Sequence, residues 1–199
     1  MAIKFQFNKT SLNDLNKQLK MRVRALPTIK SKESALRMEV QRAKEEAVKL
    51  SVELEKLISS YKHISGLWNE FEPDLIAVKD IRLNSEKIAG VNIPSLDEVL
   101  FDTGQYSLFS SPFWYTDGIQ ILKTLATTGI RYEFYVHKIN LLDHARKKTT
   151  QKVNLYEKVQ IPGYTEAIRK IKRFLEDEDN LSKSAQKIVK KRQEEEDSQ

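Results

Sequence analysis

The sequence predicts a mainly α-helical fold: a long antiparallel two-helix coiled coil formed by the N- and C-terminal arms, with a short β-hairpin insert between them. Three observations carry that prediction. Apolar residues recur at alternating steps of three and four along the first arm and, less regularly, along the second, the spacing of a heptad seam. Gly (6) and Pro (5) are scarce in 199 residues, so there is little turn chemistry to fold many short elements. The middle of the chain is different in kind, rich in residues that favour extended structure.

The first arm, residues 1–72, carries the clearer seam. Leu12, Leu15, Leu19, Leu26, Ile29, Leu36, Val40, Ala43, Ala47, Leu50, Leu54, Leu57, Tyr61, Ile64, Trp68 and Phe71 follow one register. Arg22 and Glu33 fill the two skipped positions, and the run from Leu36 to Phe71 has no exception. A helix of that length spans roughly 90 Å at about 1.5 Å per residue and cannot bury its seam alone. Thr10 or Asn13 is expected to cap its start. Glu72–Pro73 stops it, because a residue before proline avoids the helical region. Pro27 conflicts with the pattern: proline removes a helical hydrogen bond at a cost of roughly 3 kcal/mol, which predicts a local bend near 23–27.

The insert, residues 73–118, contains Val78, Ile81, Leu83, Ile88, Val91 and Ile93, with Gly90 and Pro94 as punctuation, then a second extended run, EVLFDTGQYSLF. These read as a β-hairpin. The aromatic run Phe113, Trp114 and Tyr115 either packs the insert onto the coil or faces a partner; the residues leave both readings open.

The second arm, residues 119–199, holds the partner seam. Ile119, Leu122, Leu125, Phe134, Leu141 and Ala145 come first; the register resumes with Leu155, Val159, Tyr164, Ile168, Ile171, Leu175, Ala185 and Val189. Gly129 and Pro162 interrupt it. The terminal KKRQEEEDSQ has no apolar anchor and is expected to fray.

Charge and composition exclude several functions. Net charge is +6, yet both arms mix the two signs, and the insert is acidic, with 3 Lys+Arg against 7 Asp+Glu. Basic groups such as Arg146–Lys148, Arg169–Arg173 and Lys187–Arg192 sit among carboxylates without base-stacking aromatics, which argues against nucleic acid. With no Cys there is neither a disulfide nor a thiolate metal site, and a reducing, cytoplasmic compartment is expected. His63, His137 and His144 stand apart from any metal-ligand spacing. The six glycines form neither a phosphate loop nor a dinucleotide fingerprint. Paired carboxylates at Glu45–Glu46, Glu176–Asp179 and in the tail read as solvated faces, since a two-helix rod offers no cleft to shift their pKa values. No catalytic residue, cofactor, membrane span or signal segment is expected. A non-catalytic rod remains, for which a general coiled-coil scaffold or tether is one reading. Basic-helix binding to nucleic acid is another.

Three segments narrow this further. LNKQLKMRVRALPTIKSKESAL near the N-terminus, KIAGVNIP in the insert and QKVNLYEKVQIPGYTEAIRKIKRFLEDED in the second arm resemble the D subunit of V-type and A-type rotary ATPases. The insert segment matches that family's NIMGVxVP at Ile88, Gly90, Val91, Ile93 and Pro94; the second arm matches at Val153, Asn154, Glu157, Ile161, Pro162, Ile168, Ile171, Leu175 and Glu176; the first arm matches at Leu19, Lys20, Ile29, Lys30, Lys32 and Leu36. The chain departs from the family at Leu26–Pro27, where a Gly-His pair is common, and at Gln151 and Lys152, where two arginines are common.

The resemblance implies a central-stalk rotor shaft carrying torque between an ATP-hydrolysing or ATP-synthesising hexamer and an ion-translocating membrane ring. It also implies the partners: the catalytic A and regulatory B subunits of the head, the small F subunit, and a socket subunit over the ring, with the chain itself cytoplasmic and peripheral to the membrane. On that resemblance the partner-binding residues are Lys30, Lys32, Ile88, Gly90, Val91, Ile93, Pro94, Asn154, Glu157 and Pro162.

Overall fold

A computed structural model describes residues 3–107, 109 and 111–196. Its elements in chain order are helix α1 (Lys9–Ser60), 3-10 segments at Lys62–Glu70 and Pro73–Leu75, strands β1 (Ile76–Ile88) and β2 (Val91–Thr103), and helix α2 (Tyr115–Asn154). A π-helical stretch (Leu155–Gln160) and helix α3 (Ile161–Glu196) follow. The chain is thus mainly helical with one antiparallel hairpin between the long helices. It divides into two compact units, residues 1–31 with 149–199, and Lys32–Lys148.

In the first unit α1 starts at Lys9, ahead of both expected caps, Thr10 and Asn13. The Asn8 side chain accepts the Ser11 backbone N–H at 2.7 Å, satisfying one of the donors a helix leaves free at its start. Leu15, Ala167, Ile168 and Ile171 form the buried core, with Ile3, Phe5, Leu12, Leu19, Tyr164 and Leu175 packed around it. Leu15 shares this core with Ile168 and Ile171, whereas Arg22 and Lys30, further along α1, reach Gln160 and Glu157, so the pairing is antiparallel. Pro27 lies inside α1, which continues unbroken through it.

The seam departs from expectation at four residues of this unit, Leu155, Val159, Ala185 and Val189, the last two lying on an exposed length of α3. Leu155 and Val159 are each 40% exposed, while Val153, Tyr156, Gln160 and Tyr164 are half-buried. The cause is the π-helical stretch: its wider turns absorb an extra residue and hand the inward position to Tyr156 and Gln160. Arg22, at a skipped seam position, is accommodated by polar contacts. Its Nε donates to Gln160 Oε1 at 2.6 Å, and its guanidinium lies 4.6 Å from the Tyr164 ring centroid, a cation–π geometry.

The second unit is built on Leu36, Val40, Ala43, Ile93 and Leu142, with Tyr135, Ile139 and Ala145 beside them. Leu142 is fully buried where Leu141 was expected, and Leu141 faces outward. Leu50, Leu54, Leu57 and Ile64 are half-buried. The α-helix ends at Ser60, short of the predicted Phe71, and Ile64 and Trp68 sit in the 3-10 stretch beyond it. An aromatic cluster follows. Trp114 lies 5.3 Å from Trp68 and 5.7 Å from Phe71, and Tyr115 donates its hydroxyl proton to the Glu70 carbonyl at 2.6 Å. Of the aromatic run, Trp114 and Tyr115 therefore pack inward, whereas Phe113 is exposed.

The hairpin turns earlier than the sequence placed it. Ile88 pairs with Val91, so KIAGVNIP is the hairpin's tip and Ala89–Gly90 its two-residue turn. Both turn residues have positive φ, 48° and 76°, as a tight turn matched to strand twist requires. Pro94 stands within β2 opposite Ser85, tolerated because a two-stranded sheet is all edge. Of the second extended run, the strand takes the residues up to Thr103; Leu108 lies outside the described residues. So do residues 197–199 at the end of the tail expected to fray.

Candidate partner-binding surfaces

Hydrophobic packing seats the hairpin tip on its own unit. Ile93 is fully buried against Leu36, Val40, Ala43 and Leu142, and Ile88, Ala89 and Val91 pack on the same cluster. Ile93, with no accessible surface, holds the hairpin to the helices of its own unit. Ile88, Val91 and Pro94 are half-buried, and Gly90 is exposed at the turn. Lys32 stands over that turn: a Cβ built on Gly90 would lie 3.2 Å from Lys32 Nζ. The structure thus brings Lys32 and the insert motif together although 58 positions separate them.

A second set meets in the first unit. Lys30 Nζ lies 2.7 Å from Glu157 Oε1, each side chain about half exposed. Asn154 and Pro162 are exposed beside the same stretch of chain, and the Cβ position of Gly163 is 3.0 Å from Ile3 Cδ1. The expected binding residues therefore form two groups, one on each unit.

The electrostatics are those of surface ion pairs. Lys147 and Arg146 hold the Asp143 carboxyl below its ordinary value. Lys170 does the same for Glu166, and Glu46 raises Lys49. Each pair lies on one turn of a helix and contributes little. Among the described residues no group of His, Asp or Glu is arranged to hold a metal ion, and no helix is long and apolar enough to cross a membrane. What this geometry offers is contact.

Two surfaces stand out that the sequence did not single out. Residues 176–194 of α3 are exposed throughout, including Leu181 at 73% and Ile188 at 57%. On the hairpin, Val78, Ile81 and Leu83 of β1 are exposed. Hydrophobicity alone marks these residues as apolar but not as uncovered, so the sequence held only half of that signal.

Comparison with known proteins agrees over nearly the whole length. A family model described as the D subunit of ATP synthase matches residues 11–191. The chain is 34% identical over 187 residues to the V-type ATP synthase D subunit of Borreliella burgdorferi, covering 92% of this chain and 93% of the relative. It is 29% identical over 202 residues to the protein of the same name from Chlamydia pneumoniae, covering 96% and 94%.

Proposed function

The chain belongs to the family of ATP synthase D subunits, and on that premise we propose that it is the rotor shaft of a V/A-type ATP synthase. In this reading it transmits torque between the nucleotide-handling head and the ion-translocating ring. Its partners are the A and B subunits of the head, the F subunit and the socket subunit, and it is held at the membrane periphery through them.

The observation that carries the proposal is the uncovered length of α3. From residue 176 to 194 every described side chain is exposed, yet Leu181, Ala185, Ile188 and Val189 recur at helical spacing. Such a stripe on an uncovered helix is stable in water only at a cost, and a protein sleeve would remove it. A bearing inside a ring of subunits suits such a helix. The mixed charges around the stripe give contacts that form and break cheaply as a shaft turns. An asymmetric shaft can then favour a different conformation in each surrounding site.

The test is reconstitution with the head subunits, followed by single-molecule rotation. Full-length chain should support rotation driven by ATP. Chain ending at residue 176 should still fold, as judged by circular dichroism, but should slip or stall. Rotation and coupling unaffected by that truncation would remove the role assigned to α3, and failure of the full chain to assemble with the head would remove the reading altogether.

A further inference from the structure

One face of α3 carries its own complement in reverse order. Glu178, Leu181, Ala185, Ile188 and Arg192 follow one another at steps of three, four, three and four, the spacing that keeps side chains on a single face of a helix. All five are exposed. Along the helix this face therefore reads acid, three apolar residues, base. Its centre, Ala185, lies nine positions from either end of the exposed stretch 176–194.

The two charges cannot serve each other within one chain. Fourteen positions separate Glu178 from Arg192, roughly 21 Å along a helix at about 1.5 Å per residue. Other ion pairs on α3 are made within a turn, Lys170 with Glu166 and Lys190 with Glu194. Glu178 has no such neighbour: the positions three and four away hold Phe174, Leu175, Leu181 and Ser182.

A second copy supplies what is missing. Laid antiparallel about Ala185, it sets its Arg192 opposite Glu178, and by symmetry its Glu178 opposite Arg192. Leu181 then meets Ile188 and Val189 of the second copy, the side chains that are 73%, 57% and 55% exposed in the single chain. The two stretches overlap over their whole length, roughly 28 Å. A parallel pair would instead put Glu178 beside Glu178 and Arg192 beside Arg192, so charge selects the antiparallel arrangement. Such an interface is isologous and closes at two copies.

We propose that, outside the assembled complex, two copies of this chain pair antiparallel through residues 176–194 of α3. The pairing covers the apolar stripe until the head takes its place; that consequence rests on the rotor reading, whereas the dimer does not. The interface is small, which makes the dimer weak and exchangeable. A tight one would oppose assembly by mass action.

Sedimentation equilibrium of the full chain reads the dimer, which should dominate near about 200 μM and dissociate near about 1 μM. Leu181→Asp changes an exposed side chain, so helicity by circular dichroism should hold while dimerisation weakens at least about tenfold. Glu178→Arg or Arg192→Glu alone sets like charges together at two symmetric places and should weaken it about tenfold. Both reversals in one chain should restore it to within about threefold.

A chain that stays monomeric near about 200 μM, or a dimer indifferent to Leu181→Asp, would overturn the proposal. A double reversal no better than the single ones would overturn the antiparallel pairing. Added head subunits should release the second copy as they bind the chain. Binding with the dimer intact would overturn the shared face and leave the rotor reading standing. No binding to the head, with a dimer that obeys the substitutions, would remove the rotor reading and leave the dimer.

Discussion

Lys30 Nζ lies 2.7 Å from Glu157 Oε1, joining α1 to the π-helical stretch across 127 positions of sequence. Because both side chains are about half exposed, solvent screens the pair. Its coupling energy, read from a double-mutant cycle with Lys30→Ala and Glu157→Ala, should not exceed about 1 kcal/mol and should fade as salt is raised. Its use would then be to fix which residues face each other.

Packing of the insert makes a stronger prediction. Ile93 shares a buried cluster with Leu36 and Leu142, so Ile93→Ala should destabilise the second unit by about 2–5 kcal/mol, as Leu36→Ala should. Thermal unfolding followed by circular dichroism measures both. The structure predicts that such a change at Ile93 lowers the temperature at which helix is lost.

The aromatic cluster supplies its own probe. A Cβ on Gly118 would come within 2.8 Å of Trp114 Cζ3, so Gly118→Ala should displace the indole and cost about 1–3 kcal/mol. Both tryptophans, Trp68 and Trp114, lie in this cluster. A red shift and broadening of their fluorescence should accompany the loss of stability.

Acid should weaken one helical pair in a defined direction. Lys147 and Arg146 lower the Asp143 pKa from its ordinary 3.8. An unfolded chain therefore binds a proton here more readily than the folded one, and stability rises with pH across that interval. The contribution is present above 3.8 and is lost as pH falls below it toward the lowered folded value. Asp143→Asn should flatten that part of the acid-unfolding curve, with little change at neutral pH.

Pro27 gives the last prediction. Inside an unbroken α1 it leaves the carbonyl of Val23 without its helical donor. Pro27→Ala should raise the stability of the first unit by as much as about 3 kcal/mol in denaturant titrations. No gain would mean that the neighbouring chain already accommodates the missing bond.

The sequence disclosed the parts whose signal is periodic. Heptad spacing located α1 and most of its inward residues, because side-chain direction follows helical phase wherever that phase is uniform. It failed at Leu155 and Val159, where the phase slips. The step of five between Val159 and Tyr164 was the visible trace of the slip. The hairpin was legible from β-branched residues and Gly90, but no local pattern could tell that KIAGVNIP folds inward, since burial depends on what lies opposite. The expected binding residues were found by likeness to relatives, and likeness does not separate a residue retained for packing, such as Ile93, from one retained for contact.

The π-helical stretch at Leu155–Gln160 has a consequence for anyone splicing this chain. An added residue turns everything beyond it by about 100° in an ordinary helix, and here the widened turns take up that rotation locally. The heptad count before Leu155 and the count after Gln160 are therefore two separate frames. A chimera joined inside the stretch, or a deletion of one residue from it, would point Ile168 and Ile171 away from Leu15 while leaving every individual helix well formed.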